Sequence, residues 1–174
     1  MTEQTTAHRV AAGRWQLDPA ESTASFSVMH FGRPVVGTIP LRAAEAEIGP
    51  TGEINSGHIE LDVATIATGN SRRDSDLAKP RFLDTAQHPT ILVDVEPGSV
   101  RQGSWRTTAT LRARGMAVGV ELLIEMPEPA VDDVAKVLVT GTFDRTPLGI
   151  KVPGFIIAKS IAVRVEAVFR RLSP

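Results

Sequence analysis

Apolar and polar residues alternate with a period of two through most of this chain. That pattern confines it to β-strands with one buried face. Ala24, Phe26 and Val28 are separated by Ser25 and Ser27. Ile59, Leu61 and Val63 alternate with Glu60 and Asp62, and Ile91, Val93 and Val95 with Asp94 and Glu96. A long run places Val118, Val120, Leu122, Ile124 and Met126 against Glu121 and Glu125. Val137 and Val139 lead toward Phe143, and Ile161, Val163, Val165, Ala167 and Phe169 alternate with Arg164, Glu166 and Arg170. Weaker runs at 35–46 and 105–113 bring the total to about eight strands. Turn residues such as Gly49-Pro50-Thr51-Gly52 and Met126-Pro127-Glu128-Pro129 leave short gaps, which favour antiparallel neighbours. One helix is predicted, over 71–79, with Ser71 and Asp74 spaced as a capping box and Pro80 ending it. It is too short to cover a sheet. The strands must therefore bury their apolar faces against a second sheet or by closing into a barrel, and the alternation accommodates both.

The 174 residues suit one domain, expected over 14–174 behind a flexible tail at 1–13. Lysine plus arginine number 19 and aspartate plus glutamate 20, so no net charge steers the chain toward nucleic acid. Six Phe, two Trp and no Tyr give little material for stacking bases. With no cysteine, disulfides, thiolate metal sites and cysteine nucleophiles are excluded. No window approaches the length of an apolar membrane span, so integral membrane association is not expected. The first residues lack an apolar signal core, and a cytoplasmic protein is the expectation.

Chemistry-bearing motifs are absent. His8, His30, His58 and His88 lie on separate segments with no metal-ligand spacing, and no nucleophile elbow, phosphate loop or paired-histidine helix occurs. No catalytic residue and no metal site are predicted. A small barrel enzyme with a histidine-based, metal-assisted site, or a barrel filled by its own side chains and used for protein contacts, remain the rival readings. The densest polar stretch runs from Thr68 to Asp76. Its Arg73 and Asp74, with Asp144 and Arg145, are candidates for a polar rim or scaffold, since a guanidinium can bridge two oxygens. A bond between Arg145 and Asp74 across the chain is one expectation.

Five motifs in order resemble the YceI-like family, which is named for polyisoprenoid binding. The opening runs Trp15-x-Leu17-Asp18-Pro19, then Ser22, then Phe26-Ser27-Val28-Met29-His30-Phe31-Gly32 and Gly37. A middle signature is Ile66-Ala67-Thr68-Gly69-Asn70 followed by Arg73-Asp74-x-Asp76-Leu77. Arg81-Phe82-Leu83-Asp84 and His88-Pro89-Thr90-Ile91 come next, then Leu111-x-Ala113-Arg114-Gly115-Met116. Phe143-Asp144-Arg145-x-x-Leu148-Gly149-Ile150 closes the series. The similarity spans about 15–172. Leu83, Leu148 and Ile39 stand where the family usually has Phe.

The resemblance implies an all-β, extended, antiparallel eight-stranded barrel of lipocalin-like shape. It further implies non-enzymatic binding of a long-chain isoprenoid or similar lipid (a polyisoprenoid or a quinone-type molecule) and a homodimer as one assembly open to it. No cofactor is implied. Alternation and resemblance together make Phe26, Val28, Ile91, Val93, Val120, Leu122 and Ile124 wall candidates. Phe31, Leu77, Phe82, Leu83 and Leu148 are candidates for closing or lining one end.

Overall fold

The computed structural model describes residues 10–98, 100–101 and 104–173. Eleven strands form a single sheet. β1 (Gly13–Leu17) and β2 (Thr23–His30) run upward, and β3 (Arg33–Ile39) and β4 (Leu41–Ile48) return. β5 (Ile54–Asp62), β6 (Thr90–Val95), the two-residue β7 (Val100–Arg101), β8 (Ser104–Ala113), β9 (Met116–Glu125), β10 (Val134–Asp144) and β11 (Ser160–Arg171) complete it. Neighbours follow the order β1-β4-β5-β6-β8-β9-β10-β11, every pair antiparallel, and β11 pairs back onto β1 through Trp15 and Arg171. The ring is therefore a closed eight-stranded antiparallel barrel, with β2 and β3 extending its first two staves. Closure leaves the ring without a free edge and settles the choice that alternation left open.

Both broken staves have local causes. Between β1 and β2, Asp18 accepts the Ala20 N–H, and Ser22 Oγ accepts the Val168 N–H of β11 at 2.9 Å. The chain thus steps sideways while keeping β11 as its partner: Leu17 pairs with Phe169 below, Thr23 with Glu166 above. Between β3 and β4 stands Pro40, which has no N–H to give a ladder; its carbonyl accepts from Asp62 instead. The predicted single strand at 35–46 is accordingly two. The expected tail also shortens: Val10 is buried in the core, the Trp15 indole donates to the Ala11 carbonyl, and β1 begins at Gly13. Residues 1–9 lie outside the described residues.

The helix α1 (Ser71–Leu77) is two residues shorter than predicted and capped differently. Asn70, not Ser71, accepts the Arg73 N–H, while Asp74 turns back to accept both the N–H and the hydroxyl of Thr68. α1 lies in the long β5–β6 connection, which reaches β3 through the Thr38–Ala67 bridge. Two hairpins at the same end, Phe31-Gly32 and Arg114-Gly115, place both residues at positive φ, the turn that matches strand twist. No helix among the described residues is long and apolar enough to cross a membrane.

Candidate functional site

The core is the barrel interior. Trp15, Ile48, Ile54, Ile91, Val93, Trp105, Leu111, Val120, Leu122, Ile124, Ala135 and Val139 are all buried in one cluster. Register places them on one face: Ile59 pairs with Val93, Val93 with Leu111, Trp105 with Ile124, and Ile124 with Val139. An apolar cavity of about 80 Å³ sits in the lower half, bounded by Trp15, Trp105, Ile124, Ala135, Val137 and Phe169. Glu45 and His58 border it too, but they pair between the inward pairs Ala44–Ile59 and Ala46–Gly57, so their side chains turn outward. Glu45 meets Arg14 there, and His58 meets Asp94 at 2.8 Å and Glu60 at 3.3 Å. Hydrogen bonding to the Asp94 carboxylate, with Glu60 on the other ring nitrogen, raises the His58 pKa above the ordinary imidazole value.

Both ends of the interior are covered. Below, the two indoles stack their area into the core, and the Trp105 N–H donates to the Gly52 carbonyl of the β4–β5 turn. Above, the β10–β11 connection folds inward, so that Leu148 and Ile150 are core residues. Arg145 holds that connection. It is 1% exposed and makes no ion pair among the described residues; its guanidinium donates to the carbonyls of Ile150, Val152, Ile157 and Ala158 at 2.6–3.1 Å. Arg114 ties the same connection to its neighbour, donating to the Leu148 and Pro80 carbonyls.

These contacts correct one expectation. Arg145 and Asp74 do not meet: the first satisfies backbone carbonyls and the second satisfies Thr68. Arg73 is drawn to the same Thr68, through its hydroxyl at 2.8 Å and its carbonyl at 2.8 Å. Asp144 caps the turn Thr146–Leu148. The Thr146 N–H, and then the Thr146 hydroxyl, hold its carboxyl below the usual carboxylate range. The four polar candidates therefore fix connections to the barrel.

Of the apolar candidates, Ile91, Val93, Val120, Leu122, Ile124 and Leu148 are buried, while Phe26 and Val28 are half-buried on the inward face of β2. Phe82 and Leu83 pack on the core from the β5–β6 connection, and Leu77 is half-buried on α1. Phe31 is elsewhere: it sits at a hairpin tip and is 62% exposed. Only Leu122 and Ile124 of this set border the cavity. The residues missed are those of its floor, Trp15, Trp105 and Phe169 among them. Their signal was an aromatic at an inward alternation position near the lower strand ends.

An open concavity of about 920 Å³ lies elsewhere, on the outer face of β2 and β8–β11, floored by Ser25, Ser27, Thr140 and Thr142. Apolar groups, Val36 and Leu123 among them, share its lining, but it is open to water and so cannot enclose a hydrocarbon as the interior does. His30, His58 and His88 stand apart on β2, β5 and the β5–β6 connection; His8 lies outside the described residues. Among the described residues no group of three metal-binding side chains converges.

The family model for a YceI-like domain matches residues 15–169. No curated protein sequence matches the chain. Among solved structures, BcnA of Burkholderia cenocepacia superposes with a TM-score of 0.77 at 16% identity, covering 87% of this chain and 98% of its own. The YCEI protein of Campylobacter jejuni gives 0.69 at 17% identity over 79% of this chain and 85% of its own. A polyisoprenoid binding domain from Saccharophagus degradans, implicated in plant cell wall breakdown, gives 0.63 at 13% identity over 91% and 98%. At these identities the shared property is the fold.

Proposed function

This chain belongs to the YceI-like domain family, and we propose that it binds a long-chain isoprenoid or a similar lipid inside its barrel, without catalysis. The observation that carries this reading is the interior: a closed wall of apolar side chains around a cavity, with the bordering Glu45 and His58 side chains turned outward. The Saccharophagus relative, described as a polyisoprenoid binding domain, supports the ligand class.

Burying hydrocarbon contributes about 0.8 kcal/mol per CH₂, so each five-carbon prenyl unit is worth about 4 kcal/mol gross. Association costs about 4–15 kcal/mol. Three or four buried units then leave the roughly −8 kcal/mol of micromolar binding. The tail alone can supply the affinity, and no reactive group is required. The cavity of about 80 Å³ is well below the roughly 300–1,000 Å³ of small-molecule sites. A chain of that length therefore enters by displacing Leu148 and Ile150 and moving the β10–β11 connection that carries them.

Native mass spectrometry of freshly purified protein, alone and with a geranylgeranyl-length prenol, tests the reading. The expected result is a one-to-one lipid complex. Val137→Phe, which places a ring in the cavity, should fold and lose the complex. Spectra free of lipid before and after prenol addition would overturn it. The small cavity favours a second reading, a filled barrel serving as a scaffold for protein contacts, and the lipid-free outcome is the one it requires.

A further inference from the structure

The two ends of the barrel differ in charge. The residues between strands at the upper end (31–32, 63–89, 114–115 and 145–159) include eight lysines and arginines and three aspartates. Those at the lower end (49–53, 96–98 and 126–133) include five acids and no lysine or arginine. Folding offsets only part of this charge: Arg72 and Arg81 act electrostatically on the Asp76 carboxylate, and Lys159 and Arg145 on that of Asp144 at the end of β10. Arg73, Arg114 and Arg145 donate to hydroxyl and carbonyl oxygens, and Lys79 with Asp76 is the one ion pair of these connections among the described residues.

The same end presents apolar surface. Phe155 is 75% and Phe31 62% exposed. Their two turns are fastened edge to edge: the Phe31 N–H donates to the Ile156 carbonyl at 2.8 Å, and the Ala158 N–H to the Met29 carbonyl at 2.9 Å. Phe31 also sits at φ 49°, a left-handed conformation unusual for an aromatic residue. The turn itself sets that φ, as it does for Arg114 in the other hairpin; what it leaves unexplained is a phenyl ring, tilted against His30 with centroids 4.8 Å apart, that is still mostly in water.

We infer that the upper end is a docking surface for an anionic lipid bilayer, with the Phe31 and Phe155 rings entering the interface and Arg33, Lys151 and Lys159 facing the headgroups. Rings alone would hold a protein only marginally; stable peripheral binding takes an apolar anchor together with a basic collar. Both are present, and they frame the connection that must move for an apolar chain to enter. The purpose of docking rests on the lipid-binding reading above, but the docking itself does not, so the two can fail separately.

The test is sedimentation of the full chain with vesicles free of prenyl lipid. One set is phosphatidylcholine; the other contains phosphatidylglycerol. Binding is expected to the anionic vesicles only and to disappear at about 1 M salt, where screening is strongest. Lys151→Ala with Lys159→Ala should weaken it at least about tenfold. Phe31→Asn should weaken it several-fold while leaving the melting temperature unchanged or raised, since Asn tolerates positive φ. A structural role for Phe31 would lower the melting temperature and leave binding alone. Equal binding to both vesicle types, no binding, or wild-type binding by these variants overturns the inference. So does a cross-linked protein partner at Phe31 with vesicles unbound.

Discussion

The lower end of the barrel is closed by packing and the upper end by hydrogen bonds from guanidinium groups. Trp15 and Trp105 seal the floor with large apolar rings that have no better place to go. The roof is a connection hung on Arg145 and Arg114, whose partners are carbonyl oxygens. Once the connection opens, carbonyl and guanidinium can both bond water, whereas an exposed indole ring has no such substitute. The barrel thus has a fixed end and an end that can part from its wall, and the charge asymmetry follows the same division.

The most severe way to break this comparison is at the floor. Trp105→Ala should cost about 3–5 kcal/mol in urea unfolding, because it leaves a void where a ring joined β8 to β9. The loss should be global, with amide exchange accelerated throughout the barrel. Arg145→Ala comes next, at about 2–3 kcal/mol, since four carbonyls lose their donor. Its effect should be local: faster exchange at the Ile156, Ile157 and Ala158 amides, with the floor strands unchanged. Arg145→Lys should recover little of it, because one ammonium cannot span four carbonyls set around a planar fork. If exchange in Arg145→Ala rose equally at both ends, roof and floor would be one cooperative unit and the comparison would fail.

Between the ends, Gly141 of β10 gives a smaller, sharper probe. A Cβ there would lie 2.8 Å from the Glu121 carbonyl oxygen and 2.8 Å from Leu122 Cδ2. The carbonyl belongs to a ladder and cannot yield, so Gly141→Ala should cost about 1–3 kcal/mol by overpacking, read by the same urea titration. A neutral result would mean that the middle of the wall is looser than either end.

Much of this was legible in the sequence, and the reason is periodicity. Alternation separated the apolar from the polar face of β6, β9 and β11, and the burial of Ile91, Val93, Val120, Leu122, Ile124 and Ala167 shows that the apolar face turns inward. Closure was not legible from alternation, since pairing of Trp15 with Arg171 joins residues at opposite ends of the chain. The family resemblance supplied it. The roles of the polar candidates were hidden for a related reason. Arg145 reads as a rim charge next to Asp144, yet it is buried, because the connection after it folds back and offers four carbonyls. A sequence displays side chains, and the partners here are backbone. The cap of α1 failed similarly: Asp74 had the spacing for Ser71, but Thr68 outcompeted it with two donors.

The smallest effect is expected on the outer wall, away from both ends. His58 on β5 stands between Asp94 and Glu60, and its pKa is raised chiefly by Asp94. A proton held more tightly in the folded state stabilises the fold fully below the unfolded imidazole value near 6.5, and that contribution is lost as pH rises through the higher folded value. Stability should therefore decline modestly as pH climbs above about 6.5, and His58→Gln should flatten the slope in urea titrations. The side chain is 43% exposed, so solvent screening keeps the effect small. The ring touches only β-strand neighbours, so its titration should leave exchange at the roof amides unchanged. A roof that loosened with His58 deprotonation would tie the outer wall to the movable end and redraw the division between the two halves.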